Sequence, residues 1–376
     1  MDKIVRLAFI GGGHVNFGGG EGPWDHASRF EQMPGVVCVG VADVDIHRAQ
    51  DAIGTRQTGL QRKAWANCQP FSDWRQMVQK LRPDAVIVGL PPDQHGHTES
   101  PRDVELMLSN LGVAMLIEKP LGFWHPDVLS QVAQALQRGG VLVSVGYMFR
   151  YAAAVAKLRA ILRDTLLGPC VFTARYNCAY SRINKAAFWD TRRNGGPIIE
   201  QATHFLDLAR YLCGEVDLDS LQVTRIAADS AQGTLRYMPT DDAGRALDAN
   251  VPAQYRITTA TLAQWRFVSG AVGNLAHGVL LHEDRYEAEL EVWADGVRFV
   301  LRNPYGDARL GVRLGGCERT EWFDFNDDPY LAQDAAFIEG VRSGSADTIR
   351  CTYQDALKTY RLSWAIAGIS CHNQPA

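Results

Sequence analysis

The chain contains no run of about eighteen consecutive apolar residues, which excludes a helix that crosses a bilayer. It has no excess of positive charge. Its 38 Lys and Arg stand against 42 Asp and Glu, a formal net charge of −4, which excludes the basic footprint of a nucleic-acid-binding protein. The 8 cysteines are scattered without a C-x-x-C pair. That excludes a zinc ribbon and, in a chain of 376 residues, argues against a disulfide scaffold. There is no Asn-x-Ser/Thr sequon, no internal repeat and no low-complexity tract. Met1-Asp2-Lys3-Ile4-Val5-Arg6 runs straight into an apolar strand without the pattern of a signal peptide. The expectation is a cytoplasmic protein with reduced thiols and no metal, whose partners include neither nucleic acid nor membrane.

At this length two domains are expected, because single cores stop growing earlier. Over residues 1–150, short β-branched runs at Val5–Ile10, Val36–Ala42, Ala85–Leu90, Ala114–Ile117 and Val141–Val145 alternate with helical stretches. The latter lie at Ile46–Ile53, Trp74–Leu81, Asp103–Asn110 and Asp127–Gln137. Nearly continuous apolar strands are buried on both faces, so this alternation predicts an α/β domain with a doubly wound parallel sheet. Past Tyr147-Met148-Phe149-Arg150 the texture changes. A helix over Ala152–Leu166 and a strand over Val171–Tyr176 come first. From about Val223 strands follow at Arg256–Val268, Val272–Leu281, Arg285–Ala294, Val297–Leu301 and Arg309–Leu314, with a hairpin turn at Asp295-Gly296. Residues 229–253 read as a loop, and Tyr330–Val341 and Tyr353–Ser370 as helices. Residues 151–345 are therefore expected to form an α+β domain on a large, open, mostly antiparallel sheet.

Four features fall beyond the carboxyl ends of the predicted parallel strands, where doubly wound sheets bind ligands. The first strand runs into Gly11-Gly12-Gly13-His14-Val15-Asn16, whose glycines let backbone amides approach a pyrophosphate. Asn16 stands where a G-x-G-x-x-G fingerprint has its third glycine, and Gly18-Gly19-Gly20 lengthen the turn, with the acids Glu21 and Asp25 close by. The second strand ends in Asp43, the place for a carboxylate that accepts hydrogen bonds from an adenosine ribose. Asp43-Val44-Asp45 favours NAD, while Arg48 one turn later keeps NADP possible. Leu90-Pro91-Pro92-Asp93-Gln94-His95 and Glu118-Lys119-Pro120 follow two further strands. Pro120 biases Lys119 toward an extended backbone and makes the Lys-Pro bond a candidate for a cis peptide.

Further along, Gly195-Gly196-Pro197 opens a predicted helix that places Glu200, His204, Asp207 and Tyr211 at i, i+4, i+7 and i+11, a polar stripe on an otherwise apolar helix. Burying such a stripe requires partners or a function. Arg150, Tyr151, Tyr176, Trp189, Arg192 and Arg193 flank these elements, with Trp265 and His277 on strands. Aromatic faces with charged groups suit a polyol or a carboxylate-bearing ring.

With these motifs the chain resembles the Gfo/Idh/MocA family, the glucose–fructose oxidoreductase and inositol dehydrogenase type. The resemblance runs through the Gly-rich turn, Asp43, Asp84–Pro91, Glu118-Lys119-Pro120, Gly195–Asp207 and a terminal helix. It implies a Rossmann first domain, with residues 346–376 returning to pack on it, and hydride transfer between a nicotinamide and a hydroxyl-bearing carbon, usually of a sugar or cyclitol. Gly11, Gly13, His14, Val15, Asn16, Asp43, Leu90, Pro91, His95, Glu118 and Lys119 are expected on the cofactor. Lys119, Arg150, Tyr176, Trp189, Glu200 and His204 are expected on the substrate. His204 would accept the hydroxyl proton and Lys119 would stabilise the developing alkoxide. Glu200 would orient the imidazole or bind a second hydroxyl, and Asp207 would brace the helix. Family members typically carry Asp at the place of Glu200 and glycine at that of Asn194, so the longer Glu200 side chain carries its carboxylate about a methylene further out. A homodimer or homotetramer assembled through the open sheet is also implied. Redox-neutral chemistry on a retained NAD, imine reduction and a non-enzymatic dinucleotide-responsive regulator are the alternatives.

Overall fold

The computed structural model describes residues 3–19, 24–164, 168–181, 183–282 and 286–369. Gly20 and Glu21 of the lengthened turn, and the expected element ends at Leu166, Arg285 and Ser370, lie outside them.

Six strands form one wholly parallel sheet: β1 (Val5–Ile10), β2 (Val36–Ala42), β3 (Gln69–Phe71), β4 (Ala85–Val88), β5 (Ala114–Ile117) and β6 (Val143–Val145). Their order is β3-β2-β1-β4-β5-β6, the doubly wound arrangement. β4 and β5 are buried at every position, as their unbroken apolar runs require. Phe9 of β1 stacks on Trp65 at 5.6 Å between ring centroids, within a core that includes Phe30, Ile87 and Leu116.

The rest of that core arrives from far along the chain. The helix Pro329–Ser343 contributes Phe337, Ile338 and Val341. The chain divides into a first unit, the stretch up to Tyr151 with Asp328–Leu357, and a second unit of Ala152–Asp327 with the residues from Lys358 onward. This differs from the expected boundaries: Asp328–Ser343 joins the first unit because its apolar face fills that core. Of the expected returning segment, Cys351 and Gln354 pack in the first unit, donated to or donating at 3.0 Å with Val145 and Ala133. From Lys358 the terminal helix, Tyr353–Ala367, belongs to the second.

The second unit is built on an eight-stranded sheet of β7 (Val171–Ala179), β8 (Val216–Arg225), β9 (Ala260–Phe267), β10 (Val272–Leu281), β11 (Glu287–Ala294), β12 (Val297–Arg302), β13 (Ala308–Arg313) and β14 (Glu321–Phe325). The order is β14-β13-β12-β11-β7-β10-β9-β8, antiparallel except where β7 meets β10. Burial along β9 alternates strictly, so one face of the sheet is covered and the other is not. Helix Thr203–Cys213 packs on the central β7 and β10, which is why it is buried nearly all round.

Candidate active site

The strand order of the first sheet reverses between β1 and β4, and the glycine turn sits at that switch point. Gly11 has φ +97°, and a Cβ on it would lie 2.5 Å from the Gly89 carbonyl oxygen, so only glycine fits. The Gly12 N–H donates to Asp43 Oδ2 at 2.8 Å and the Asp45 N–H to Oδ1 at 2.9 Å. Asp43 thus clasps the turn from the end of β2. Arg48 approaches Asp43 Oδ1 at 3.4 Å with a side chain 54% exposed. A Cβ on Gly13 would meet nothing within 4 Å, so the outer side of the turn is open. A single helical turn, His14–Phe17, follows with Gly13 as an N-cap that offers no side chain, leaving its first amides without intrahelical partners. The open Gly13 face, the first amides of that turn and a carboxylate with spare acceptor sites fit a dinucleotide, with pyrophosphate on Gly11–Val15 and ribose on Asp43.

Asn16 lies inside rather than on this surface. It is fully buried, and its Nδ2 donates to the Gly11 and Ile10 carbonyls at 2.8 and 3.3 Å. Gly89 makes the room, since a Cβ there would come 2.5 Å from that nitrogen. His14 Nδ1 lies 2.9 Å from the Gly18 carbonyl. Asp25, whose charge would repel a phosphate, caps helix His26–Phe30 and receives the Arg56 guanidinium at 2.6 and 2.7 Å.

Leu90 and Pro91 leave β4 half-buried and exposed, respectively. His95 is buried, with Nδ1 2.7 Å from Glu105 Oε1, while the Gly96 N–H donates to Oε2 at 2.9 Å. Lys119 is half-buried at the end of β5, and the Lys119–Pro120 peptide is cis. Glu118 faces inward: its Oε1 is 3.0 Å from His26 Nε2, and its Oε2 accepts the Lys119 N–H at 3.3 Å. Arg150 was expected to line a substrate pocket. It is buried, with its guanidinium on the Arg350 carbonyl at 2.6 Å and on the Asp355 carboxylate, and so ties together two stretches of the first unit.

In the second unit, Gly195-Gly196-Pro197 opens a π turn, Ile198–Ala202, before the α-helix Thr203–Cys213 begins. Glu200 is only partly buried and receives Asn194 Nδ2, with Lys185 Nζ at 3.3 Å. The two positions that depart from the family pattern, Asn194 and Glu200, are therefore bonded to each other. Asn194 Oδ1 also accepts the Gly196 N–H at 2.9 Å.

His204 and Asp207 are buried. Asp207 Oδ1 accepts Thr359 Oγ1 at 2.9 Å, and Ser363 Oγ reaches Thr203 Oγ1 at 3.3 Å. The His204 ring stands edge-on to Tyr305, with centroids 6.1 Å apart. Tyr305 tilts over Tyr176 at 5.8 Å, and Tyr176 meets His277 edge-on at 5.2 Å. Burial pushes the Tyr176 phenol well above its usual range and the His277 imidazole down to about 3. Trp189, expected on the substrate, is buried and donates to the Ile183 carbonyl at 3.0 Å. It packs with Phe188, Leu235 and Met238 beneath the long loop. His26, Glu105, Asp334 and Tyr305 escape the sequence reading, since their partners lie at separations that no local pattern marks. Among the described residues there is no cluster suited to a metal ion and no helix long and apolar enough to cross a membrane.

Comparison with known proteins decides the family. A model described as "Oxidoreductase family, NAD-binding Rossmann fold" matches residues 5–147, and an oxidoreductase C-terminal domain model matches residues 150–297. The chain belongs to the Gfo/Idh/MocA oxidoreductases. The first unit is accordingly the NAD-binding Rossmann domain of this family. The chain is 32% identical to the uncharacterized protein UNK4.17 of Schizosaccharomyces pombe, over 96% of this chain and 90% of that one. It is 27% identical to inositol 2-dehydrogenase 4 of Saccharopolyspora erythraea, over 62% of this chain and 61% of that one. Levoglucosan dehydrogenase, solved with NADH and L-sorbose, shares the fold at a TM-score of 0.76, with 16% identity over 99% of this chain and 98% of that one.

Proposed function

We propose that this Gfo/Idh/MocA protein is an NAD-dependent dehydrogenase acting on a carbinol carbon of a sugar-like or cyclitol substrate. One observation carries the reading most: at the β1/β4 switch point of an NAD-binding domain, Asp43 clasps the Gly12 amide while Lys119 stands at the end of β5. Inositol and levoglucosan dehydrogenases among the similar proteins support the substrate class.

Oxidising an alcohol removes a hydride from carbon and a proton from oxygen. A bound nicotinamide supplies the hydride acceptor. His204 takes the hydroxyl proton, the task for which an imidazole is suited at neutral pH. Lys119 donates a hydrogen bond to the same oxygen and stabilises its developing charge. Glu200, steadied by Asn194 and Lys185, accepts a hydrogen bond from a second substrate hydroxyl. Tyr176 and Tyr305 offer ring faces and phenol groups beside His204.

A screen of cyclitols and sugars with NAD, read as NADH absorbance, tests the class. On the substrate found, Lys119→Ala and His204→Ala are each expected to lower kcat by roughly 10²–10⁴-fold, the usual yield of acid–base and electrostatic groups. Unchanged turnover in Lys119→Ala, with folding intact, would overturn the assignment.

A further inference from the structure

Inside the first unit, one buried imidazole joins three segments. His26 begins the helix His26–Phe30, Glu118 follows β5, and Asp334 lies on helix Pro329–Ser343. His26 Nε2 is 3.0 Å from Glu118 Oε1, and Nδ1 is 2.9 Å from Asp334 Oδ2. All three side chains are buried. We propose that His26, bridging Glu118 and Asp334, is a positioning residue that fixes the Glu118 carboxylate and, through it, the backbone of Lys119. This rests on the role given above to Lys119.

The geometry leaves Glu118 little freedom. One oxygen meets His26, and the other accepts the Lys119 N–H at 3.3 Å. The remaining side is walled by Gly146, where a Cβ would lie 2.6 Å from Oε1. A carboxylate confined in this way dictates the peptide plane that precedes the Lys119 side chain. Ionised carboxylates only accept, so an imidazole facing two of them donates from both nitrogens. Three groups then share the charge of two acids and one cation, and removing the cation leaves two buried carboxylates facing each other without the group that bridges them.

The surroundings agree. Burial works against a charged imidazole, yet Asp334 and Glu118 outweigh it and push His26 up to about 10. Arg29 acts on Asp334 from one side, and Tyr330 faces Glu118 from another. Arg29 is itself held by Asp328 at 2.7 Å and lies over the Tyr330 ring. The His26 ring also stacks on Phe30, with centroids 6.0 Å apart. His26 is thus fixed on both edges and one face.

The test uses the full chain with selective ¹⁵N-lysine labelling, the Lys119 amide being identified by its loss or shift in Lys119→Arg. His26→Gln and the isosteric Asp334→Asn are compared with the natural protein without nucleotide, and then for turnover. The expected result is a Lys119 amide displaced by more than a linewidth in both variants. Along with it, kcat should fall roughly ten- to a hundredfold in His26→Gln, the penalty of a slightly misplaced catalytic group. In Asp334→Asn the alkaline limb of kcat should move to lower pH, which a purely packing role would not do. A Lys119 amide unmoved in Asp334→Asn would overturn the proposal, even if His26→Gln fails to fold. If Lys119→Ala proves catalytically silent, the dehydrogenase reading falls, while the amide measurement still decides whether His26 positions Lys119.

Discussion

Two buried histidines respond to burial in opposite ways, and each gives the protein a pH limit of its own. His277 Nε2 has no hydrogen-bond partner among the described residues, and desolvation holds its imidazole down to about 3. Unfolded chains take up that proton near pH 6.5, so this residue's penalty is absent above 6.5 and grows as pH falls toward 3. It should cost about 2 kcal/mol by pH 5. His277→Phe is therefore expected to melt higher than the natural protein at pH 5, relative to their difference at pH 7.5. His26 carries the reverse sign. With its pKa raised to about 10, its contribution is complete below 6.5 and disappears as pH rises through 10. The melting-temperature gap between the natural protein and His26→Gln should be widest near pH 6 and should narrow toward pH 10. A gap that stays constant would show that the two carboxylates do not hold the charge on His26.

At the scale of elements, the helix bearing His204 is held by the terminal helix one turn at a time. Thr203 and Asp207 are four residues apart, and so are their partners Ser363 and Thr359. Thr359 Oγ1 also receives Arg210 at 2.6 Å, so removing Asp207 leaves a buried hydroxyl with one acceptor fewer. Asp207→Ala should cost about 1–3 kcal/mol in chemical denaturation while leaving NADH affinity unchanged, because Asp207 lies in the second unit.

These elements also mark how far the sequence could be read. Trp74–Leu81 and Ala114–Ile117 are found where their periodicity and β-branching put them, because burial on one or both faces writes itself into the pattern. β3 is not legible: Gln69-Pro70-Phe71 is short and carries a proline, a strand only because an edge position tolerates one. The π turn at Ile198–Ala202 is also hidden, since a surplus residue changes the phase of a helix and not its composition. Lys119, Glu200, His204 and Asp43 were visible as residue types at sheet ends and on a helix. The partner that Asp334 provides for His26 was not, being 308 residues away.

For the whole molecule, the question of function turns on how the dinucleotide is held. Protein purified without added nucleotide, denatured and analysed by chromatography, is expected to release well under one equivalent of NAD(H) or NADP(H), as an exchangeable dehydrogenase requires. Stoichiometric release would favour redox-neutral chemistry instead. Asp43 with its carboxylate engaged by Gly12 favours NAD, and the exposed Arg48 beside it offers a cation to a 2′-phosphate. Arg48→Ala should leave the NADH dissociation constant within about twofold and weaken NADPH by about tenfold, the scale of one charge-assisted contact.

The split of the first unit has a temporal side. Phe337, Ile338 and Val341 enter the same core as Phe9 and Phe30, and Asp334 completes the pair of carboxylates around His26. On a ribosome, the sheet that carries the glycine turn emerges early, but the helix that closes its core emerges only after the whole second unit. Until then the nascent sheet keeps an apolar seam open, a surface for chaperones to occupy. The core of the nucleotide-binding unit is therefore complete only once translation has passed residue 341.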